Sequence, residues 1–264
     1  MAAPAVSVLM GVHDGAAWIS RAIASVLTQT LADLELIVVD DGSADATPTL
    51  LAGVRDPRLV VERQARAGLA VALNRALARA RGPLVARLDA DDVALPTRLE
   101  RQRDFLQAHP EVGLLGTAAR VVDESDRDVG ITRPPEDDRA IRRALIRRNP
   151  FVHSSVMLRR AVVSSVGGYD ASFAVAQDYD LWLRLSVITR MANLAEPLVI
   201  RHLVAGRVTA AREDERLRAE ARARWRAVRA GAYPPWGALF ALRPLLALAL
   251  PGPLRDPLRR ALGR

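Results

Sequence analysis

Apolar and polar positions along the chain alternate between two periods. Val6–Val12 and residues 34–39, 59–62 and 84–88 are compact apolar runs closed by turn formers, the pattern of buried strands. Between them, residues 16–28 place Ile19, Ile23 and Leu27 on one helical face, beside Trp18, Ala22 and Val26. Residues 67–81 read as another helix, ending at Gly82-Pro83. Thr47-Pro48 offers an N-cap and a first-turn proline for a short helix. Thr97-Arg98-Leu99-Glu100 has capping-box spacing and opens a helix to about His109, before a fifth strand at 112–116. Such alternation predicts an α/β fold: a doubly wound, mostly parallel sheet with helices on both faces.

Beyond residue 116 the pattern loosens. Residues 121–139 are rich in charge and turn formers, 140–148 suit a short basic helix, and 155–158 are strand-like. Gly167-Gly168-Tyr169-Asp170 reads as a turn. Gln177–Leu185 opens an amphipathic helix whose Leu181 and Trp182 are expected in the core, and 198–202 is a candidate last strand. Residues 212–229 form a polar, arginine-rich helix at the head of a basic helical C-terminal tail.

Composition narrows the chemistry. The 264 residues suit one large domain with an appendage. With no cysteine there is no thiolate nucleophile, Cys zinc site or iron–sulfur cluster. All 38 basic residues are arginine, which excludes Schiff-base chemistry and a Walker lysine. The net charge of +8 is concentrated: residues 212–264 hold 12 Arg against 5 acids, a balance of +7, so the body is nearly neutral. Basic residues are not spread with aromatics over a folded face, so no nucleic-acid partner is expected. An anionic membrane surface is the expected partner for 212–264. In the alternative, the leucines of the tail pack on the domain or on another subunit while its arginines stay solvated; oligomeric state is not encoded. No signal-peptide pattern opens the chain, and the C-terminal apolar runs of 13 and 11 residues are short for a spanning helix. The expected location is cytoplasmic, soluble or peripheral at the inner face of the membrane.

In doubly wound sheets ligands sit outside the carboxyl ends of the strands. Here those ends carry Asp14, Asp40, Asp41, Asp89, Asp91 and Asp92. Asp89-Ala90-Asp91 follows an apolar strand, where a turn lets both carboxylates approach one ligand. Hard oxygen donors of this kind favour Mg²⁺ or Mn²⁺ bridging substrate phosphates.

Several segments, in order, carry a more specific signal. They are Val38-Val39-Asp40-Asp41-Gly42-Ser43, Ala72-Leu73-Asn74, Ala86-Arg87-Leu88-Asp89-Ala90-Asp91-Asp92 and Leu95-Pro96-Thr97-Arg98-Leu99-Glu100-Arg101-Gln102. Downstream come Asn149-Pro150-Phe151-Val152-His153-Ser154-Ser155-Val156-Met157, Gly167-Gly168-Tyr169 and Gln177-Asp178-Tyr179-Asp180-Leu181-Trp182-Leu183-Arg184. Together, over about residues 5–209, they resemble the family 2 glycosyltransferases of GT-A fold, in the bacterial envelope-polysaccharide branch.

The resemblance implies sugar transfer from a nucleotide diphosphate sugar to a glycan or lipid-linked acceptor, with inversion at the anomeric carbon. It divides the chain into a GT-A domain over 1–211 (nucleotide-sugar half 1–116, acceptor half 117–211) and the tail. Gly11, Val12, Asp14, Asp40, Asn74, Arg87 and Asp89 are then expected to bind the nucleotide sugar. Asp40 accepts from the base N3–H, favouring a uracil- or thymine-type donor, while Asp41 caps the turn. Asp89 contacts the ribose or metal-bound water, Asp91 binds the cation, and Asp178 is the general base. His153 and Gln177 fall in the acceptor region; for His153 and Asn149 a hydrogen-bonded core role is the competing reading. Asp180 is expected to be structural.

Two departures are visible. Gln177 stands where the family often has an acid beside the base. Arg201-His202 replaces Tyr-Arg after the last strand, with Val204 at the usual histidine, leaving His202 or Arg207 for phosphate contact. A haloacid-dehalogenase-like phosphatase and a receiver module both require a lysine, which this chain lacks. The non-enzyme alternative is a degenerate glycosyltransferase-like protein that binds nucleotide sugar or a partner without turnover.

Overall fold

The computed structural model describes residues 3–203 and 212–249. β1 (Val6–Val12) and β2 (Leu34–Asp41) are buried along their whole length, as strands covered on both faces must be. With β3 (Leu59–Gln64) and β4 (Leu84–Arg87) they make a parallel set in the order β3-β2-β1-β4. The sheet then turns mixed. β8 (Met157–Arg159) runs antiparallel between β4 and β6 (Val112–Asp123). β9 (Arg190–Leu203) lies parallel to β6, and β5 (Val93–Ala94) and β7 (Asp128–Thr132) add antiparallel edges to β9 and β6.

Alternate residues of the strands feed two apolar layers. Val8 and Met10 pack with Ile19 and Ile23 of α1 (Ile19–Leu27) and Leu99 and Leu106 of α4 (Arg98–Ala108). Leu9 and Ile37 pack with Leu73 of α3 (Leu69–Arg79) and Leu181 and Trp182 of α7 (Gln177–Leu185). Both residues of α7 expected in the core are there. Short helices α2 (Thr47–Gly53), α5 (Asp138–Leu145) and α6 (Arg160–Ser165) complete the domain.

Local signals gave way where tertiary partners were stronger. Thr47 is the first residue of α2, not its cap, and its hydroxyl accepts from Gly15 N at 2.9 Å. Thr97 makes no side-chain cap, and the Glu100 carboxylate instead accepts from Thr30 Oγ1 at 2.8 Å. β6 and β9 are much longer than the short strands expected, and residue 116 lies inside β6. Each continues because the other supplies its ladder partner through Asp123 and Leu203, despite charged residues on both.

The tail's first helix, α8 (Glu213–Arg229), buries Leu217, Ala221, Ala223, Arg224 and Ala227 and packs on α7 through Ala223, Arg224 and Ala227. Arg224 is therefore buried and not solvated. α9 (Ala238–Ala249) folds back on α8, burying Ala241 and leaving Trp236 just before it, together with Leu239, Leu242 and Leu245, exposed. Residues 250–264, with Leu250 and the prolines beyond it, lie outside the described residues. Among the described residues no helix is long and apolar enough to cross a membrane.

Candidate active site

β4 delivers its chain to the carboxyl edge of the sheet, and the turn beyond it gathers three acids. Asp89, Asp91 and Asp92 place one carboxylate oxygen each within 4.8 Å of the others. Three like charges at that spacing repel, and a divalent cation relieves the repulsion. Asp92 is buried and internally engaged: Oδ1 accepts from His202 N at 3.0 Å, and Oδ2 accepts from the Ser154 hydroxyl. The same hydroxyl lies 2.5 Å from Asp89 Oδ2, and one proton cannot serve both acids at once. Asp89 and Asp91 are the half-buried members of the set. The donor set is all hard oxygen and fits Mg²⁺ or Mn²⁺, with Asp89 and Asp91 the residues that would hold it. Sequence reasoning missed Ser154; the signal available was a Ser-Ser pair just before a buried strand.

Arg87 ends β4 with its side chain only 1% exposed. It is ion-paired with Asp89, while its Nε and Nη1 have no hydrogen-bond partner. Arg98 braces the same strand end, donating from Nη2 to Arg87 O at 2.7 Å and Val156 O at 3.3 Å and from Nε to Gln102 Oε1 at 3.0 Å. A buried cation with unused donors marks a place where a ligand's oxygens can be taken up.

The side expected to take the nucleotide is more heavily cross-braced than its sequence suggests. Asp14, at φ +49°, accepts on Oδ1 from Ala44 N at 2.8 Å and donates its own N–H to Ser43 Oγ at 3.0 Å. Asp40 is buried; Oδ1 accepts from Ser43 N at 2.9 Å, and Oδ2 accepts no hydrogen bond and lies 3.3 Å from Arg63 Nε. Asp41 takes bonds from Gln64 Nε2, Ala67 N and Gly68 N, each at 2.8 Å. Burial pushes the Asp41 carboxyl up, but these bonds outweigh it and hold the group below the usual carboxylate range.

Three residues expected to touch the nucleotide sugar also have internal tasks. Gly11 and Val12 are buried within β1; a Cβ on Gly11 would come within 2.9 Å of Leu69 Cδ1, so glycine lets α3 close on the strand. Asn74 uses both ends of its amide on the Tyr169 backbone, donating to its O at 2.7 Å and accepting from its N at 2.8 Å. That clamp fastens the Gly167–Tyr169 turn to α3.

Asp178 lies in the first turn of α7, after Ala176 at φ +58°. Its Oδ2 accepts from Asn149 Nδ2 at 2.7 Å, and Asn149 Oδ1 accepts from Phe151 N at 3.1 Å. Asn149 is thus a holder of the acid, a role the residue pattern alone did not reveal. Gln177 is buried beside it. Asp180 pairs with Arg184 at 2.8 Å, a structural role.

His153 is half-buried and shares a 3.0 Å hydrogen bond between Nε2 and the Tyr169 hydroxyl. Burial first, then the Arg87 charge, pulls its pKa down, against the opposing pull of Asp178 and Asp89. The Tyr169 phenol is pushed up by burial and feels the same three charges. The charges of Arg87, Asp89 and Asp178 all act on this pair, and His153 adjoins Ser154, whose hydroxyl bonds Asp89, so the DXD turn and the acid of α7 border the same polar pair.

His202 borders the carboxylate cluster from β9. Its ring lies 5.4 Å from that of Trp18, and its Nε2 is 3.0 Å from Asp126 Oδ1 beside Arg21. The ring also meets the Asp91 backbone and feels its charge, while the His202 N–H serves Asp92. Val204 and Arg207 lie outside the described residues.

A doubly wound sheet whose DXD turn faces an acid at a helix start defines the GT-A class of fold. The chain belongs to glycosyl transferase family 2, whose profile it matches over residues 7–167. It is 34% identical over 186 residues to the amylovoran biosynthesis glycosyltransferase AmsE of Erwinia amylovora, covering 69% of each chain. The crystal structure of Staphylococcus aureus TarS 1-349 with UDP-GlcNAc superposes with a TM-score of 0.68 at 20% identity, over 83% of this chain and 64% of that one. The mannosyltransferase PcManGT of Pyrobaculum calidifontis, in complex with GDP-Man and Mn²⁺, superposes at 0.64 and 22% identity, over 99% and 80%. The chain spans about two thirds of the length of the curated relatives it matches.

Proposed function

We propose that the protein transfers a sugar from a nucleotide diphosphate sugar, of UDP or dTDP type, to a hydroxyl of a glycan or lipid-linked acceptor in envelope polysaccharide synthesis. The observation that carries this reading is the cluster of Asp89, Asp91 and Asp92 at the carboxyl edge of the sheet, beside the buried Arg87 with its unused donors. In this reading the acceptor oxygen attacks the anomeric carbon from the face opposite the diphosphate. The bond to the diphosphate oxygen breaks with inversion, and the acceptor proton passes to Asp178, which Asn149 holds in place. Asp89 and Asp91 would hold a divalent cation, which when bound would supply charge stabilisation for the departing diphosphate. Asp40 offers its Oδ2, which accepts no hydrogen bond, to a base N–H.

A donor screen by thermal shift, with and without Mn²⁺, followed by nucleoside diphosphate release, tests the proposal. Stabilisation by one uridine or thymidine diphosphate sugar, strengthened by Mn²⁺ and followed by turnover, is expected. Tight binding without turnover across a full donor panel would replace this reading with that of an inert binding protein.

The same proposal places the protein on an anionic bilayer through α9. Trp236 and Leu239 are 59% and 65% exposed, and Leu242 and Leu245 continue the strip. Arg147 covers Phe240 of α9 at 5.3 Å, and Arg143 and Arg148 are exposed on the same segment. Apolar side chains rimmed by guanidinium groups complement an anionic interface, each near-surface charge contributing about 1 kcal/mol. Full-length protein is expected to float with phosphatidylglycerol-rich vesicles at low salt, and Trp236→Gln/Leu239→Gln/Leu242→Gln to stay in solution. Flotation that survives the triple substitution overturns the assignment of α9.

A further inference from the structure

The matched family segment ends at residue 167, before Asp178 and well before α8. Yet α8 sends three arginines into the acceptor side of the site. Arg222 donates from Nη2 to Ser172 Oγ at 2.8 Å and lies over the Phe173 ring at 4.6 Å. Arg226 pairs with Asp170 Oδ2 at 2.7 Å, approaches Asp180 Oδ1 at 3.7 Å and lies 5.2 Å from the Phe173 ring. Arg224, buried, donates from Nε to the Tyr179 hydroxyl at 2.8 Å and from Nη2 to Arg147 O at 2.9 Å and Glu220 Oε2 at 3.0 Å. The Tyr179 hydroxyl in turn donates to Leu145 O at 2.5 Å.

These contacts converge on three segments, and each bears on Asp178. Residues 170–176 lead directly into it through Ala176, whose left-handed backbone persists only where its surroundings hold it. Tyr179 and Asp180 follow it on the same turn of α7. Residues 145–149 carry Asn149, its hydrogen-bond partner. Arg224 alone joins the residue after Asp178 to a carbonyl two residues before Asn149. A helix that only covered apolar surface would need its alanines and Leu217, not three guanidiniums aimed at one loop and one helix start.

We propose that α8 is a positioning element of the catalytic centre: Arg222, Arg224 and Arg226 set the loop 170–176 and the start of α7 so that Asp178 faces the acceptor hydroxyl. This rests on the reading of Asp178 as the base. A carboxylate displaced by about 1 Å from its productive place loses on the order of a hundredfold in rate, while the nucleotide pocket on β1, β2 and β4 stays intact.

The test uses the full chain carrying Arg222→Gln/Arg226→Gln, which leaves the buried Arg224 to hold α8. Expected are Mn²⁺-dependent UDP binding within about twofold of wild type, turnover at saturating donor lower by roughly tenfold to a hundredfold, and faster amide exchange over 170–180. Arg226→Lys, which keeps the charge facing Asp170, is expected to recover part of the lost turnover when combined with wild-type Arg222. Asp170→Asn removes the same ion pair from the loop side and serves if the double variant does not fold; the same split is expected. Wild-type turnover and exchange in these variants would overturn the proposal and leave α8 as a cover. If the wild type itself shows no turnover, the enzymatic reading fails, and amide exchange over 170–180 still decides whether α8 orders the loop.

Discussion

Asp178→Asn is expected to bind donor as the wild type does and to transfer sugar at least about a hundredfold more slowly, the scale of general-base catalysis. The substitution is nearly isosteric, and Asn149 Nδ2 can still donate to a carbonyl oxygen in the place of Asp178 Oδ2. What is lost is the ability to accept a proton as the acceptor attacks. The nucleotide pocket is built on other strands, so its affinity is expected to be unchanged. A helix-terminal carboxylate also gains about 0.3–1 kcal/mol from the dipole, so a small fall in melting temperature accompanies the change. Donor affinity and single-turnover rate, measured separately, check it. Collapse of donor affinity with turnover retained would make Asp178 a binding residue and overturn the role given to it.

Asp91→Asn is expected to act on the opposite quantity. Asp91 is half-buried in a cluster of three carboxylates, whereas Asp92 is tied to Ser154 and to the His202 backbone. Removing one charge relieves repulsion, so the melting temperature is expected to stay level or rise slightly. The same change removes an anionic oxygen from the cation's donor set, so the Mn²⁺ dependence of donor binding is expected to vanish. Calorimetric titration of UDP with and without Mn²⁺ reads this directly. Undiminished Mn²⁺-dependent binding would sink the assignment of Asp91.

The two variants separate the halves of the site because their side chains sit on different supports. Asp91 belongs to the turn after β4, braced by Arg98 from α4. Asp178 belongs to α7, braced by Asn149 and, through its neighbours, by α8. A defect in one support is therefore expected to leave the other working, which the split between donor binding and transfer makes measurable.

Much of the architecture was legible in the chain because its signals are local. Four apolar runs ending in acids are enough to call a doubly wound sheet and to place Asp40, Asp89 and Asp91 at its rim. The turn cap expected of Asp41 is made by Asp40, whose Oδ1 accepts from Ser43 N, while Asp41 accepts from the distant segment 64–68. What local pattern could not supply is which polar groups answer one another across long separations. Ser154 meets Asp89 and Asp92 across 65 and 62 residues, and Asn74 meets Tyr169 across 95. A capping box at 97–100 lost to Thr30 for the same reason: a distant partner in the folded chain competes with a near one at equal hydrogen-bond strength.

Hydrophobic periodicity and turn chemistry, both properties of neighbouring residues, determined the alternation of strands and helices in the first half, the helix bearing Asp178 and the carboxylates of the DXD turn. Tertiary structure alone decided that β8 runs antiparallel between β4 and β6. It alone decided that Arg87 is buried with two unused donors, and that α8 turns its arginines inward on Asp170, Phe173 and Tyr179. The physical reason lies in charge: a guanidinium looks the same in sequence whether it is solvated or buried. Only the carboxylates, carbonyls and ring faces that folding brings to it determine which of the two it becomes.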